Sequence, residues 1–232
     1  MALETQDSPT NNIFFIILFF KIMLYKDNYL DRLIHSNEDE WGKMMNHKFV
    51  KEIANGSLKK KYFKNYLKIE HTFVLDAIDH MTMAMFYANK IESKIIINKI
   101  INGLLNEQNN YFIETNVSKN ELSKIPEQAN YFRNYMKNCA KKGYEEIIVS
   151  FLAAESMYNN WCSNELDEIN GNSNSYSKWI KIHTSEEFFN QVKFFSQEAK
   201  EINKSEFPTK KQKEIFRETL IHEISFHNSI YG

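Results

Sequence analysis

The stretch KKKYFKNYLKIEHTFVLDAIDHMTMAMFYANK, residues 59–90, decides the fold class. Phe63, Tyr66, Leu67, Phe73, Val74, Ala77, Ile78 and Met81 recur at the three- and four-residue intervals of one helical face. No Gly or Pro interrupts the run, so the spacing predicts one long helix. Such a helix needs apolar partners of similar length, and the flanking sequence supplies them. Upstream, Leu30, Leu33, Ile34, Trp41, Met44 and Met45 predict a helix over 27–46, and a short helix over 48–54 stops at Gly56. Downstream, helices are predicted over 93–115, 127–142, 144–169, 176–183, 185–202 and 209–230. Ile97, Ile100, Ile101, Leu104, Leu105, Tyr111 and Phe112 mark the inward face of the first of these. Gly143 separates two helices, and a Gly171-Asn-Ser-Asn-Ser loop follows the second. Ser118 with Glu121, and Thr209 with Gln212 after Pro208, have capping-box spacing.

The whole chain agrees with an all-α, single-domain bundle. Its 232 residues can bury one sizeable core, and 6 Gly with 3 Pro leave few turns. A net charge of −1, with Lys and Glu dispersed, provides no basic face for nucleic acid. Cys139 and Cys162 make no disulfide framework and no Cys-x-x-Cys zinc motif, and they suit a reducing cytoplasm. Residues 13–24 are apolar, but too short to span a bilayer and lacking the basic flank of a signal peptide. Residues 1–24 are therefore expected to be an apolar extension, disordered or an artefact of the start site. Residues 25–232 form the helical domain, with no membrane partner.

Three carboxylates fall inside apolar stripes. Glu70 lies between Tyr66/Leu67 and Phe73/Val74, Glu155 in the row Ile148, Phe151, Leu152, Tyr158, and Glu223 in the row Phe216, Leu220, Phe226, Ile230. A buried carboxylate is costly unless paired or hydrogen-bonded. One such Glu can be met by a Lys or a backbone group at a helix crossing; three on three long helices, each beside aromatics, suggest a small-ligand pocket. Desolvation there would raise their pKa values and suit them to general acid/base work. A metal centre is disfavoured. Asp76 and His80 have i,i+4 ligand spacing, but no Glu-x-x-His pair of the di-iron bundles occurs, and His222 and His227 point apart. No metal and no cofactor are expected.

Four motifs in order resemble the TenA family of thiamin-pyrimidine salvage proteins. Trp41 to Leu58, with His47, Phe49, Val50 and Gly56, is similar to that family's W-x5-H-P-F-V-x5-G-T-L opening, and Phe63-x-x-Tyr66-Leu67 continues it. Tyr176-x-x-Trp179-Ile180 with Ser185 and Phe188 resembles a later motif, and Glu223-x-x-Phe226 with Tyr231 the last. The resemblance implies a haem-oxygenase-like multi-helix bundle whose central pocket holds an aminopyrimidine. It implies a cytoplasmic homo-oligomer, a dimer or tetramer.

By the same resemblance Glu70 takes the place of a pyrimidine-anchoring Asp, and Phe73 that of a Tyr. Tyr66, Tyr131, Tyr158 and Tyr176 are further substrate-binding positions, Phe226 is a stacking wall and Glu223 is catalytic; Glu155, from its place in an apolar row, is expected to assist Glu223. The nucleophilic cysteine of the thiaminase branch falls on Ala154, and Cys162 lies two turns away. An alanine cannot form the thiolate adduct of that branch. The resemblance therefore points to the cysteine-lacking branch, linked to hydrolysis of aminomethyl- or formylaminomethyl-pyrimidines. Glu223 would activate a water while Glu70 grips the ring. Two alternatives remain at this stage: a non-catalytic pyrimidine or thiamin-pathway binding protein, and a metal-dependent oxidase on the same bundle.

Overall fold

A computed structural model describes residues 28–114, 125–164 and 176–232. The apolar extension 1–24, the Ser118–Glu121 capping box and the Gly171 loop lie outside the described residues. Among the described residues there are helices and no strands. In chain order they are α1 (Tyr29–His35), α2 (Glu38–Met45), α3 (Lys48–Ala54), α4 (Lys60–Tyr87), α5 (Ile91–Gly103), a π turn (Leu104–Gln108), α6 (Asn109–Glu114), α7 (Glu127–Lys142), α8 (Tyr144–Asn164), α9 (Ser177–His183), α10 (Glu186–Asn203) and α11 (Lys210–Ser229). None of them is long and apolar enough to cross a membrane.

The centre is α8. Buried side chains run around it from Glu146 to Cys162, on every face rather than along one stripe. A helix without a wet face must be enclosed by others. α8 packs most extensively on α10 and α11, and also on α4, α7 and α9. Ser150 and Ser156 are tolerated there because each hydroxyl donates to a carbonyl of its own helix, Ile147 and Ala153. The middle of α8, around Ala154 and Glu155, thus lies at the heart of the bundle.

Local chemistry sets the helix ends. Gly56 takes φ +70°, which lets the Leu58 N–H reach back to the Glu52 carbonyl and close α3. His47 caps the start of α3 by accepting from the Phe49 N–H through Nδ1, while its Nε2 meets Asn228 of α11 at 3.1 Å. The Thr209–Gln212 capping box is formed in both directions.

Two predicted helices are divided. The helix over 27–46 breaks at Ser36-Asn37, because the Ser36 hydroxyl takes the Arg32 carbonyl and the Asn37 amide takes the Leu33 carbonyl. These short polar side chains compete with the backbone and end α1. The helix over 93–115 widens into the π turn, where the Asn109 N–H bonds the Leu104 carbonyl five residues back. Leu105, expected inward, is 45% exposed in that turn.

Gln212 joins three elements. Fully buried, it accepts from the Tyr29 hydroxyl and the Thr209 N–H and donates to the Ala199 carbonyl at 2.9 Å. Gln212→Leu removes all three bonds, leaving the Tyr29 hydroxyl only its contact from the Asn203 amide. It should lower unfolding free energy by about 3 kcal/mol in denaturant titration, since each buried unpaired group costs about 1–3 kcal/mol. A change under about 0.5 kcal/mol would show that the hub is not needed.

Candidate active site

Three helices bring the stray carboxylates together. Spacing on α4 places Glu70, Phe73, Val74, Ala77 and His80 along one side, α8 presents Ala154, Glu155 and Tyr158, and α11 presents Glu223. All of these side chains line one cavity of about 60 Å³, with Phe132, Arg133 and Met136 from α7 and His183 from α9. That volume holds several waters, each needing roughly 10–15 Å³ on this measure. Tyr66 and Phe226 stand just behind the wall. Phe226 packs on Phe73 (5.3 Å between ring centroids) and Tyr66 (5.7 Å), and Phe73 on Phe132 (4.6 Å).

Burial dominates the electrostatics. Desolvation pushes Glu70 up to about 7, while the hydroxyls of Tyr66 and Tyr158 beside it hold the rise down. Desolvation, with the charge of Glu70, takes Glu155 up to about 8. Glu223 rises furthest, from desolvation and then from repulsion by Glu70 and Glu155. Its Oε2 has no hydrogen-bond partner among the described residues, and neither does the buried Tyr66 hydroxyl at strict hydrogen-bond geometry. Three like groups in one low-dielectric cavity cannot all ionise. The cluster therefore favours holding protons at neutral pH, and repulsion by Glu70 and Glu155 favours the protonated form of Glu223.

A neutral histidine supports this arrangement. His227 is fully buried, and desolvation, then His47, push its pKa down to about 3. Its Nδ1 lies 2.8 Å from the Glu223 carbonyl, so Nδ1–H donates there, and it is 3.6 Å from Glu223 Oε2. The Nε2 is then an acceptor for the Tyr158 hydroxyl at 3.4 Å. His183 stacks on Tyr158 at 5.0 Å, and burial drives its pKa down to about 4.

Glu70, Phe73, Glu155, Tyr158 and Glu223 line the cavity, and Ala154 sits in its wall at the cysteine-equivalent position. Two expected binding residues stand elsewhere. Tyr131 is 55% exposed, one residue round α7 from the lining Phe132, and its hydroxyl donates to Glu127. Tyr176 is buried, but its hydroxyl donates to the Leu58 carbonyl at 2.6 Å and its ring meets Phe63; it ties α9 to the α3–α4 junction. Cys162 is fully buried and does not line the cavity.

Residues outside the predicted set complete the wall. Arg133 pairs with Asp76 through two hydrogen bonds, one of 2.8 Å, joining α7 to α4 at the cavity edge. Asp76 is therefore engaged by a guanidinium, and the His80 ring packs edge-on to Phe151. Their i,i+4 spacing was visible in the sequence, but their partners lie on other helices. Among the described residues, no group of three or more His, Cys, Asp or Glu could hold a metal ion.

Comparison with known proteins agrees with this architecture. An aminopyrimidine aminohydrolase from Halalkalibacterium halodurans is 27% identical over 157 residues, 64% of this chain and 70% of that protein. A TenA homologue from Pyrococcus furiosus superposes with a TM-score of 0.77 at 22% identity, covering 88% of this chain and 100% of that one. A TenA homologue from P. horikoshii OT3 gives a TM-score of 0.76 at 17% identity, over 87% and 97% of the two chains. The fold is thus the all-α, haem-oxygenase-like fold of the TenA homologues. The TENA/THI-4/PQQC family model matches residues 35–232, and the chain belongs to that family.

Proposed function

We propose that this protein hydrolyses a C–N bond of an aminomethyl- or formylaminomethyl-pyrimidine in thiamin-pyrimidine salvage. The observation that carries the reading is the convergence of Glu70, Glu155 and Glu223 in one aromatic cavity with Ala154 in the wall. The similarity to an aminopyrimidine aminohydrolase supports the substrate class. In this reading the protein is a cytoplasmic homo-oligomer, and it needs no metal, nucleic acid or membrane.

Burial and mutual repulsion of the three carboxyls, with two tyrosine hydroxyls beside Glu70, support the following roles. Glu70, the most acidic, accepts from the ring amino group as a carboxylate. Glu223, still protonated, gives its proton to the departing amine nitrogen as the bond from the pyrimidine methylene to nitrogen breaks. A water oxygen bonds to that methylene carbon, and the Glu223 carboxylate takes a proton from it. Aminomethylpyrimidine and water become hydroxymethylpyrimidine and ammonia, and Glu223 ends protonated. Glu155 holds the water, and Phe73 with Tyr158 encloses the ring.

Glu223→Gln should fold and bind hydroxymethylpyrimidine while losing about 10²–10⁴ in kcat on aminomethylpyrimidine. Unchanged turnover would remove Glu223 from the mechanism. Calorimetric binding without turnover of either analogue by the parent protein would instead favour the non-catalytic binding protein, the reading that the missing nucleophile by itself favours.

The pH dependence follows with a definite sign. kcat/KM should rise through about pH 7 as the cluster first loses a proton, mainly from Glu70, and fall at higher pH as the acid is lost. In Glu70→Gln the rising limb should disappear.

Stability gives a test that needs no substrate. A carboxyl whose folded pKa is raised contributes stability below its unfolded value, near 4.5, and loses it as pH rises through the folded value. Glu223→Gln has no such loss. Its melting temperature relative to the parent should therefore climb between pH 5 and pH 9, and a difference independent of pH would contradict the protonated state assigned to Glu223.

A further inference from the structure

The proposed occupant must enter the catalytic cavity from outside the bundle. The cavity lies among the central helices, so a ligand reaches it only where some part of the wall lets it pass. Most of the wall does not. Glu70, Ala154, Glu155 and Glu223 belong to α4, α8 and α11, and α8 packs against both of the others. The Asp76–Arg133 edge is tied by a two-bonded ion pair.

The π turn differs. Leu104 and Gln108 line the catalytic cavity, and the same two residues line a second, outer cleft of about 780 Å³ between α5 and α10. At this place the two spaces share their lining. Gln108 is half-buried, and its amide makes no hydrogen bond to the described residues. Swinging it outward breaks no hydrogen bond to the described residues, and the cleft lies beside it. The helix there is already widened, with the Asn109 N–H bonded five residues back to Leu104, a local geometry that often accompanies functional sites. The cleft is lined by amides and by charges of both signs, among them Lys99, Lys193, Glu107 and Glu187, which suits passage of a small neutral polar molecule.

We infer that the π turn Leu104–Gln108 is the port of the catalytic cavity, with Gln108 as the side chain that moves aside and the outer cleft as the vestibule. The port goes beyond the proposed reaction and can be tested without it. Ala154→Cys places a thiol in the cavity wall, and its alkylation by iodoacetamide at pH 9, followed by peptide mass spectrometry, reads access directly. The same digestion resolves the buried Cys139 and Cys162.

In that background Gln108→Ala should speed labelling about tenfold and Gln108→Trp slow it by a similar factor, with melting temperatures near the parent's. Rates that ignore both changes would overturn the port. So would faster labelling in Arg133→Ala alone, which would move entry to the α4–α7 edge. A thiol that stays unreactive in Gln108→Ala yet labels on unfolding would also overturn it. None of these outcomes depends on whether a pyrimidine is turned over.

Discussion

Desolvation of three carboxyl groups within one cavity is the constraint on which the site depends, because it fixes both how many protons the cavity holds and which residue holds them. A lone ionised carboxylate in a low-dielectric interior costs several kcal/mol, and a second or third nearby costs more. Among the described residues no lysine lines the cavity, and the lining Arg133 is occupied by Asp76. Two tyrosine hydroxyls beside Glu70 give a modest preference for charge at that one position. A gradient results, from Glu70 through Glu155 to Glu223, and it is the gradient rather than any single shift that separates a hydrogen-bond acceptor from a proton donor.

Maintaining that gradient requires a wall that excludes water and does not collapse. The all-round burial of α8 meets the first need, since a helix enclosed on every side keeps Glu155 away from bulk solvent. Packed aromatic rings meet the second. Phe73, Phe132 and Phe226 brace one another across α4, α7 and α11, so removing space from the cavity would mean moving three helices. His227 adds a polar brace, and because it is neutral it does so without supplying a charge that would ionise Glu223.

Much of this was legible in the sequence for physical reasons. Helical periodicity is a property of one element, so long amphipathic runs such as 59–90 read directly, and carboxylates within them stood out as anomalies. Glu70, Glu155 and Glu223 were recognisable on that ground alone. Events that depend on a second element were not. The break at Ser36-Asn37 turns on which carbonyls two short side chains capture. The π turn adds a residue without altering composition, and so misplaced Leu105. Arg133 and His183 carry no signal because their cavity positions arise from helix crossings. Tyr131 and Tyr176 were assigned by motif correspondence rather than by a buried polar group in an apolar row, and those two lie outside the cavity lining.

The alanine at position 154 changes what the carboxyl cluster is asked to do. With a thiolate nucleophile, covalent bonding to the substrate would share the work with proton transfer. Without one, departure of an amine depends on protonating its nitrogen before or as the bond breaks, because an amide anion is too basic to leave. A carboxyl with an ordinary pKa would have lost its proton well below pH 7. Glu223, buried and repelled by Glu70 and Glu155, still has it to give. Once the amine has taken that proton, its positive charge offsets the new Glu223 carboxylate until the bond breaks and neutral ammonia leaves, so charge separation is opposed by attraction within the same dry cavity. In the proposed reaction, the feature that makes the pocket expensive to fold, carboxyls with too little compensation, would also supply the proton for breaking a C–N bond without a protein nucleophile.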